Sequence, residues 1–182
     1  MSASNSPITA EELFEGATDG PADLVRGELV PRQPKGFLAG LVVSRVAMSL
    51  CSHVRQLGVG EVLVGRTGFI LEREPDTVRA ASIAFLDPRS RASQSRDFFV
   101  EGPPTLVVEV VSFNDQPSDV MAKVSQWLNA GCQRVWLIDP QREKATICRL
   151  VDGQLQATDT DEIVEPELLP GFTLDTATLW QR

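Results

Sequence analysis

The sequence predicts an α/β domain, a mixed β-sheet flanked by helices, and three stretches carry that prediction. A long amphipathic helix is written over residues 37–57. A nearly continuous apolar run, Leu106-Val107-Val108-Glu109-Val110-Val111, has the composition of a strand buried on both faces. It is followed by a helix over 118–130 and a second buried-type strand over 134–138. The simplest form of such a strand–helix–strand unit is a parallel crossover.

In chain order, Thr9-Ala10-Glu11-Glu12 fits a capping box, so a short helix begins there. Residues 1–7 are expected to be a flexible N-terminus and 8–182 one domain. Arg26-Gly27 punctuates Asp23-Leu24-Val25 and Glu28-Leu29-Val30, a turn beside a short strand, and 31–36 is a loop by composition. In the long helix Leu38, Val42, Val46, Leu50, Val54 and Leu57 recur at spacings of three and four, and Gly58 supplies the stop. The period then changes: 61–64, 67–73 and 77–85 read as hairpin-connected strands. Residues 86–104, rich in Arg, Ser and Pro, form the longest irregular stretch. Gly131 ends the second helix, and Asp139-Pro140 stops the strand after it. A hairpin around Asp152-Gly153, an acidic stretch at 158–167 and a Leu-Pro-Gly-Phe segment complete the chain. No internal repeat or domain boundary interrupts it.

Composition narrows the chemistry. With 42% apolar and 23% charged residues the chain has the make-up of a folded globular protein. No run approaches the ~18 apolar residues of a membrane span, and the start, MSASNSPITAEEL, lacks the pattern of a signal peptide. A cytoplasmic protein without membrane contact is expected. Cys51, Cys132 and Cys148 form no CxxC pair, and with His53 as the one histidine no zinc site of His and Cys is expected. Any metal must be held by carboxylate oxygens, which selects magnesium or manganese. Cys51 and His53, two apart on a helix, point in different directions and make no thiol catalyst; His53 is read as a helix-surface residue. A net charge of −8 argues against non-specific nucleic-acid affinity, leaving room for a local basic cleft. The one basic cluster, Arg89, Arg91 and Arg96, reads as a solvated loop.

A carboxylate in a buried strand needs a partner, because an unpaired charge in low dielectric is costly. Glu109 is that case. On the following helix Val120, Val124 and Trp127 form the inward stripe, and Lys123 stands about 60° to one side, within reach of the sheet. The pair suits metal-assisted hydrolysis, with the acid on a cation and the lysine steadying a water or a phosphate charge. A plain ion pair explains it equally well, and spacing allows Lys123 either to face Glu109 or to turn to a surface acid.

The order of segments is more specific than any of them alone. Asp23-Leu24-Val25-Arg26-Gly27-Glu28-Leu29, Arg79-Ala80-Ala81-Ser82-Ile83-Ala84-Phe85, Leu106–Ser112, Lys123 with Trp127, Val135–Pro140 and Leu168-Leu169-Pro170-Gly171-Phe172 follow one another. From about residue 8 onward this resembles the Uma-two family of restriction endonucleases, within the PD-(D/E)xK nuclease superfamily. The resemblance implies a restriction-endonuclease-like core and a magnesium- or manganese-dependent hydrolase of DNA phosphodiesters. It implies a site in which Asp23 matches the N-terminal acid, Glu109 the strand glutamate and Lys123 the helix lysine. The middle aspartate of the family pattern falls on Ser82, and the proline before it on Ala81.

That departure removes a charge and a ligand together, since a neutral hydroxyl is a poor oxygen for magnesium. Asp87 lies at an odd offset in a turn, and Asp76 lies about 20 Å back along an extended strand, so neither is expected to stand in. Glu28 is near Asp23, but nothing forces it into the site. Metal-dependent activity is therefore expected to be weakened or lost. The rival expectation is an inactive nuclease fold kept as a binding or assembly module. A homo-oligomer, in the first instance a dimer using the apolar helix 37–57, is the partner state expected. Trp127, Trp136, Phe85 and Leu137 are read as core instead of base-stacking groups.

Overall fold

Residues 6–89 and 97–181 are described by the computed structural model. Arg91 and Arg96 of the basic cluster, and residues 1–5 of the expected flexible N-terminus, lie outside them. Helix α1 (Ala10–Phe14) opens with both halves of the predicted capping box. The Glu12 N–H donates to Thr9 Oγ1 at 3.2 Å, and the Thr9 N–H donates to the Glu12 carboxylate at 2.8 Å. Strands β1 (Ala22–Val25) and β2 (Glu28–Pro31) form a hairpin across Arg26-Gly27, whose φ angles are 50° and 78°. Two central residues at positive φ match the twist of the flanking strands. Gly27 is also required by space, because a Cβ there would lie 2.3 Å from Pro7 Cβ.

Helix α2 (Phe37–Leu57) has the predicted bounds and ends on left-handed Gly58. Val42, Val46, Leu50 and Val54 are buried as their spacing predicts; Leu57, in the last turn, is 43% exposed. Periodicity alone does not show where the packed surface stops. One further expectation is corrected: α2 is long and apolar enough, by length and composition, to cross a membrane, with a window of mean hydropathy 1.6. In this fold its stripe packs on a sheet.

Residues 61–86 depart from the expected run of hairpins. They form β3 (Glu61–Val64), β4 (Gly68–Glu72), β5 (Thr77–Ala80) and β6 (Ile83–Leu86). β4 and β5 are a hairpin, but β3 pairs with β6, and the strand predicted over 77–85 breaks at Ala81-Ser82. Ala80 ends opposite Gly68 in one sheet, while Ile83 begins between Val64 and Val108 in another. An unbroken apolar run cannot reveal that the chain changes sheet within it.

The remaining elements are β7 (Val100–Glu101), β8 (Leu106–Val110), α3 (Pro117–Asn129), β9 (Arg134–Asp139), β10 (Lys144–Val151), β11 (Gln154–Thr160), β12 (Glu162–Val164), β13 (Thr173–Asp175) and α4 (Ala177–Trp180). One sheet has the order β2-β1-β5-β4-β7, the second β11-β10-β9-β8-β6-β3, and β12 pairs with β13. β8 and β9 are parallel, joined through α3 as the crossover predicts, while the other pairs of the second sheet are antiparallel. The second sheet is therefore mixed, with helices on both faces. Leu106, Val108 and Val110 pack on the α2 side with Trp136; Val107 packs on the α3 side with Val124 and Trp127. Since side chains alternate along a strand, Glu109 faces α3. Phe85, Trp127 and Trp136 are fully buried as read, and Leu137 is partly buried against the α3-side core.

Candidate functional site

Three backbone decisions bring four separated residues together. The alternation of β8 points Glu109 at α3. The sheet change at Ala81-Ser82 places Ser82 beside the end of β8, where its Oγ accepts from the Val110 N–H at 3.5 Å. The pairing of β1 with β5 lays Asp23 alongside Arg79 and Ala80. Lys123 then reaches back from α3, one of the two directions its position near the inward stripe allows. Its Nζ donates to the Ala80 carbonyl at 2.7 Å and lies 2.8 Å from Glu109 Oε1 and 3.9 Å from Asp23 Oδ2. Asp23, Ser82, Glu109 and Lys123 thus form one constellation. Ala81, at the proline position, is buried in the bend itself.

The constellation is more cationic than those four residues suggest. The fully buried carboxylate of Asp23 is held by Arg32 at 2.9 Å and Arg79 at 3.0 Å, with Arg66 at 3.7 Å. Arg79 is anchored in turn by Gln126 of α3, which accepts from its Nε at 2.7 Å. Burial pushes the Asp23 carboxyl upward, but Lys123, Arg32 and Arg79 outweigh it and hold the group below the ordinary aspartate value. Glu109 Oε1 also accepts from the Trp127 indole N–H at 2.9 Å. Lys35 enters from the loop before α2, its Nζ donating to the Val110 carbonyl at 2.5 Å. Burial of that ammonium pulls its pKa below the usual lysine value, against the attraction of Glu109 and Asp115.

These groups open into a cavity of about 570 Å³, lined among others by Arg32, Lys35, Arg66, Ser82, Glu109 and Lys123. Asp115 and Asp119 also line it, and Phe37 and Phe113, 86% and 84% exposed, stand on its wall. Sequence reasoning missed Arg32, Lys35, Arg66 and Arg79. Only Arg79, just ahead of Ala80-Ala81-Ser82, offered a signal, because it precedes the altered motif.

Other candidates fall elsewhere. Asp76 is bound by the Ala10 N–H at 2.7 Å and Arg73 at 3.0 Å, and Asp87 by Arg89 at 2.6 Å, so neither stands in at Ser82. Glu28 is exposed on β2. His53 is half-buried, not a free surface group: its Nε2 lies 3.1 Å from the Pro170 carbonyl and its ring meets Phe172 edge-on. Cys132 and Cys148 are buried and their thiols pushed up to about 12 and about 11 by burial, so neither is a ready nucleophile.

The donor set does not fit a magnesium or manganese ion. Both Asp23 oxygens face guanidinium groups, Glu109 Oε1 is shared by an ammonium and an indole, and Ser82 is neutral. Among the described residues no group of three His, Cys, Asp or Glu is placed to hold a metal, and no buried side-chain polar atom lacks a partner.

Comparison with known proteins bears on the fold and the family. The model of the Uma-two family, described as "Putative restriction endonuclease", matches residues 10–177. A crystal structure of a protein from Anabaena variabilis, described as a "putative nuclease belonging to DUF820", superposes with a TM-score of 0.78 at 17% identity. The superposition covers 96% of this chain and 98% of that one. No curated protein matches the chain.

Proposed function

Since the chain belongs to the Uma-two family of restriction endonucleases, we propose that it is a nuclease-fold protein whose pocket receives a nucleic-acid phosphate. Metal-dependent hydrolysis of DNA at that pocket is weakened or lost. One observation carries the reading: at the constellation of Asp23, Glu109 and Lys123, the third acidic position is Ser82, and cations already engage both remaining carboxylates. Magnesium prefers several anionic or carbonyl oxygens in near-octahedral array. Here Arg32, Lys35, Arg66 and Lys123 line the cavity against the carboxylates of Glu109, Asp115 and Asp119, and this small positive excess favours an anion.

The polarity of the wall supports the same ligand class. Phe37 and Phe113 are apolar rings left in solvent beside cationic groups. Stacking faces next to backbone-binding cations are what a nucleic-acid strand uses. The net charge of −8 makes this a local property of the pocket, so binding depends on these cations and not on the overall field. The free cysteines suit a reducing compartment, and we place the protein in the cytoplasm.

The test is hydrolysis of supercoiled plasmid with magnesium or manganese, run on the native protein and on Glu109→Ala. No nicking above the Glu109→Ala background is expected. Nicking that the substitution abolishes would overturn the loss of activity. A companion titration of a fluorescein-labelled oligonucleotide in EDTA is expected to show metal-free, salt-sensitive binding.

A further inference from the structure

Lys35 is at once exposed and turned inward. Its residue surface is open to solvent, as befits the loop between β2 and α2. Its ammonium nevertheless folds onto the Val110 carbonyl. Long basic side chains usually do the reverse, burying the stem and keeping the charged head in water. Something at the strand end must compensate the lost hydration, and the neighbours supply it. Val110 directly follows Glu109, whose carboxylate attracts the ammonium together with Asp115. The N–H of the same Val110 is the group that reaches Ser82 Oγ.

The ammonium therefore stands at the carbonyl of Val110, attracted by the Glu109 and Asp115 carboxylates, on the residue whose N–H reaches the neutral Ser82. A carbonyl and a carboxylate are hard oxygen donors, the kind that hold small cations. An ammonium satisfies both by donating hydrogen bonds and needs no fixed coordination geometry. With an aspartate at position 82 the strand end would carry another anion; with serine, the chain's own cation suffices to balance it. Lys123 and Arg66, also on the cavity wall, repel Lys35. With Arg32 these cations outnumber the three carboxylates on the wall, Glu109, Asp115 and Asp119, and the excess favours an anion.

We propose that the Lys35 ammonium is the resident cation of this pocket, occupying the oxygen-lined place that a divalent ion would need. With Arg66 and Lys123 it holds a phosphodiester oxyanion there without metal. This rests on reading the pocket as a phosphate site, and it names the group that makes the site independent of metal. No bond is made or broken; the role is electrostatic binding.

Two measurements decide it. The first titrates manganese calorimetrically into the native protein, Ser82→Asp, and Ser82→Asp combined with Lys35→Met. Saturable binding is expected in the double variant, with Ser82→Asp alone weaker by about tenfold, since an ion must there displace the ammonium. Equal affinity in Ser82→Asp and the double variant overturns the proposal, as does a folded double variant that takes no manganese. The second follows a fluorescein-labelled oligothymidylate by anisotropy in EDTA. Lys35→Met is expected to weaken binding about tenfold and to lower the salt slope by about one ion, while Lys35→Arg retains most of the affinity. Methionine preserves the stem, and circular dichroism checks that each variant folds. If the native protein binds no oligonucleotide, the phosphate reading falls and this proposal with it. If the native protein binds and Lys35→Met binds equally, the assignment to Lys35 alone is overturned.

Discussion

The two faces of the six-stranded sheet each bury a glutamate, a tryptophan indole and a basic side chain. On the α3 face Glu109 accepts from Trp127 at 2.9 Å and pairs with Lys123 at 2.8 Å. On the α2 face Glu165 accepts from Trp136 at 3.0 Å and pairs with Arg134 at 3.2 Å. The chemistry of the two triads is nearly the same, and their surroundings are not. Glu165 is sealed, with Trp136 stacked on Phe172, so its triad ties the C-terminal segment to β9. Glu109 lines a cavity shared with four cationic side chains. A buried acid with a cation is thus no mark of a site by itself; the open volume beside it is what separates a strut from a pocket.

The largest way to break that contrast is truncation. Glu165→Ala leaves the Trp136 N–H without its acceptor in a sealed place and leaves Arg134 only the exposed Glu167 carboxylate, at 2.8 Å, and is expected to cost about 3 kcal/mol. Glu109→Ala is expected to cost about 1–2 kcal/mol, because Lys123 keeps the Ala80 carbonyl and solvent can enter from the cavity. Denaturant unfolding of both variants measures the difference. Equal costs would mean that Glu109 is a strut as well.

A second, smaller effect sharpens the contrast through pH. Burial pushes the Glu165 carboxyl above the ordinary glutamate value, outweighing the pull of Trp136 and Arg134. The native chain then holds this proton more tightly than the unfolded chain. Stability from the group is complete below the unfolded glutamate value and is lost as pH rises through the folded one. Glu165→Gln is expected to flatten that decline in a series of unfolding midpoints taken across the carboxylate range. An unchanged slope would assign the decline to another group.

The smallest stability effect falls on the cavity wall. Arg66→Ala and Phe113→Ala are expected to change unfolding free energy by less than about 0.5 kcal/mol. Oligonucleotide affinity is expected to fall in both, and the salt slope by about one ion for Arg66→Ala alone. A loss of stability without a loss of binding would make these groups structural and return the pocket to the status of the Glu165 triad.

Much of the frame was legible because it is local. The capping box at Thr9, the turn at Arg26-Gly27, the bounds of α2 and the crossover through β8, α3 and β9 all follow from rules that act over a few residues. The C-terminal elements β12, β13 and α4 were not read, because an acidic stretch followed by Leu-Pro-Gly-Phe shows no strong period. The break at Ala81-Ser82 was also hidden, since apolar residues continue across it while the hydrogen-bond partners change.

By itself the sequence determined the α/β class, the carboxylate of Glu109 set in an apolar strand and the place of Lys123 beside the inward stripe of its helix; the serine at position 82 stands out only against the family pattern it resembles. Those are properties of residue type and spacing along one helix or strand. Only the tertiary structure decided that Asp23 is surrounded by Arg32, Arg66 and Arg79, and that Lys35 turns inward onto Val110. The physical reason is range: a charge acts on whatever the fold brings within a few ångströms of it, and those neighbours lie from nine residues away (Arg32 and Asp23) to 75 (Lys35 and Val110) along the chain.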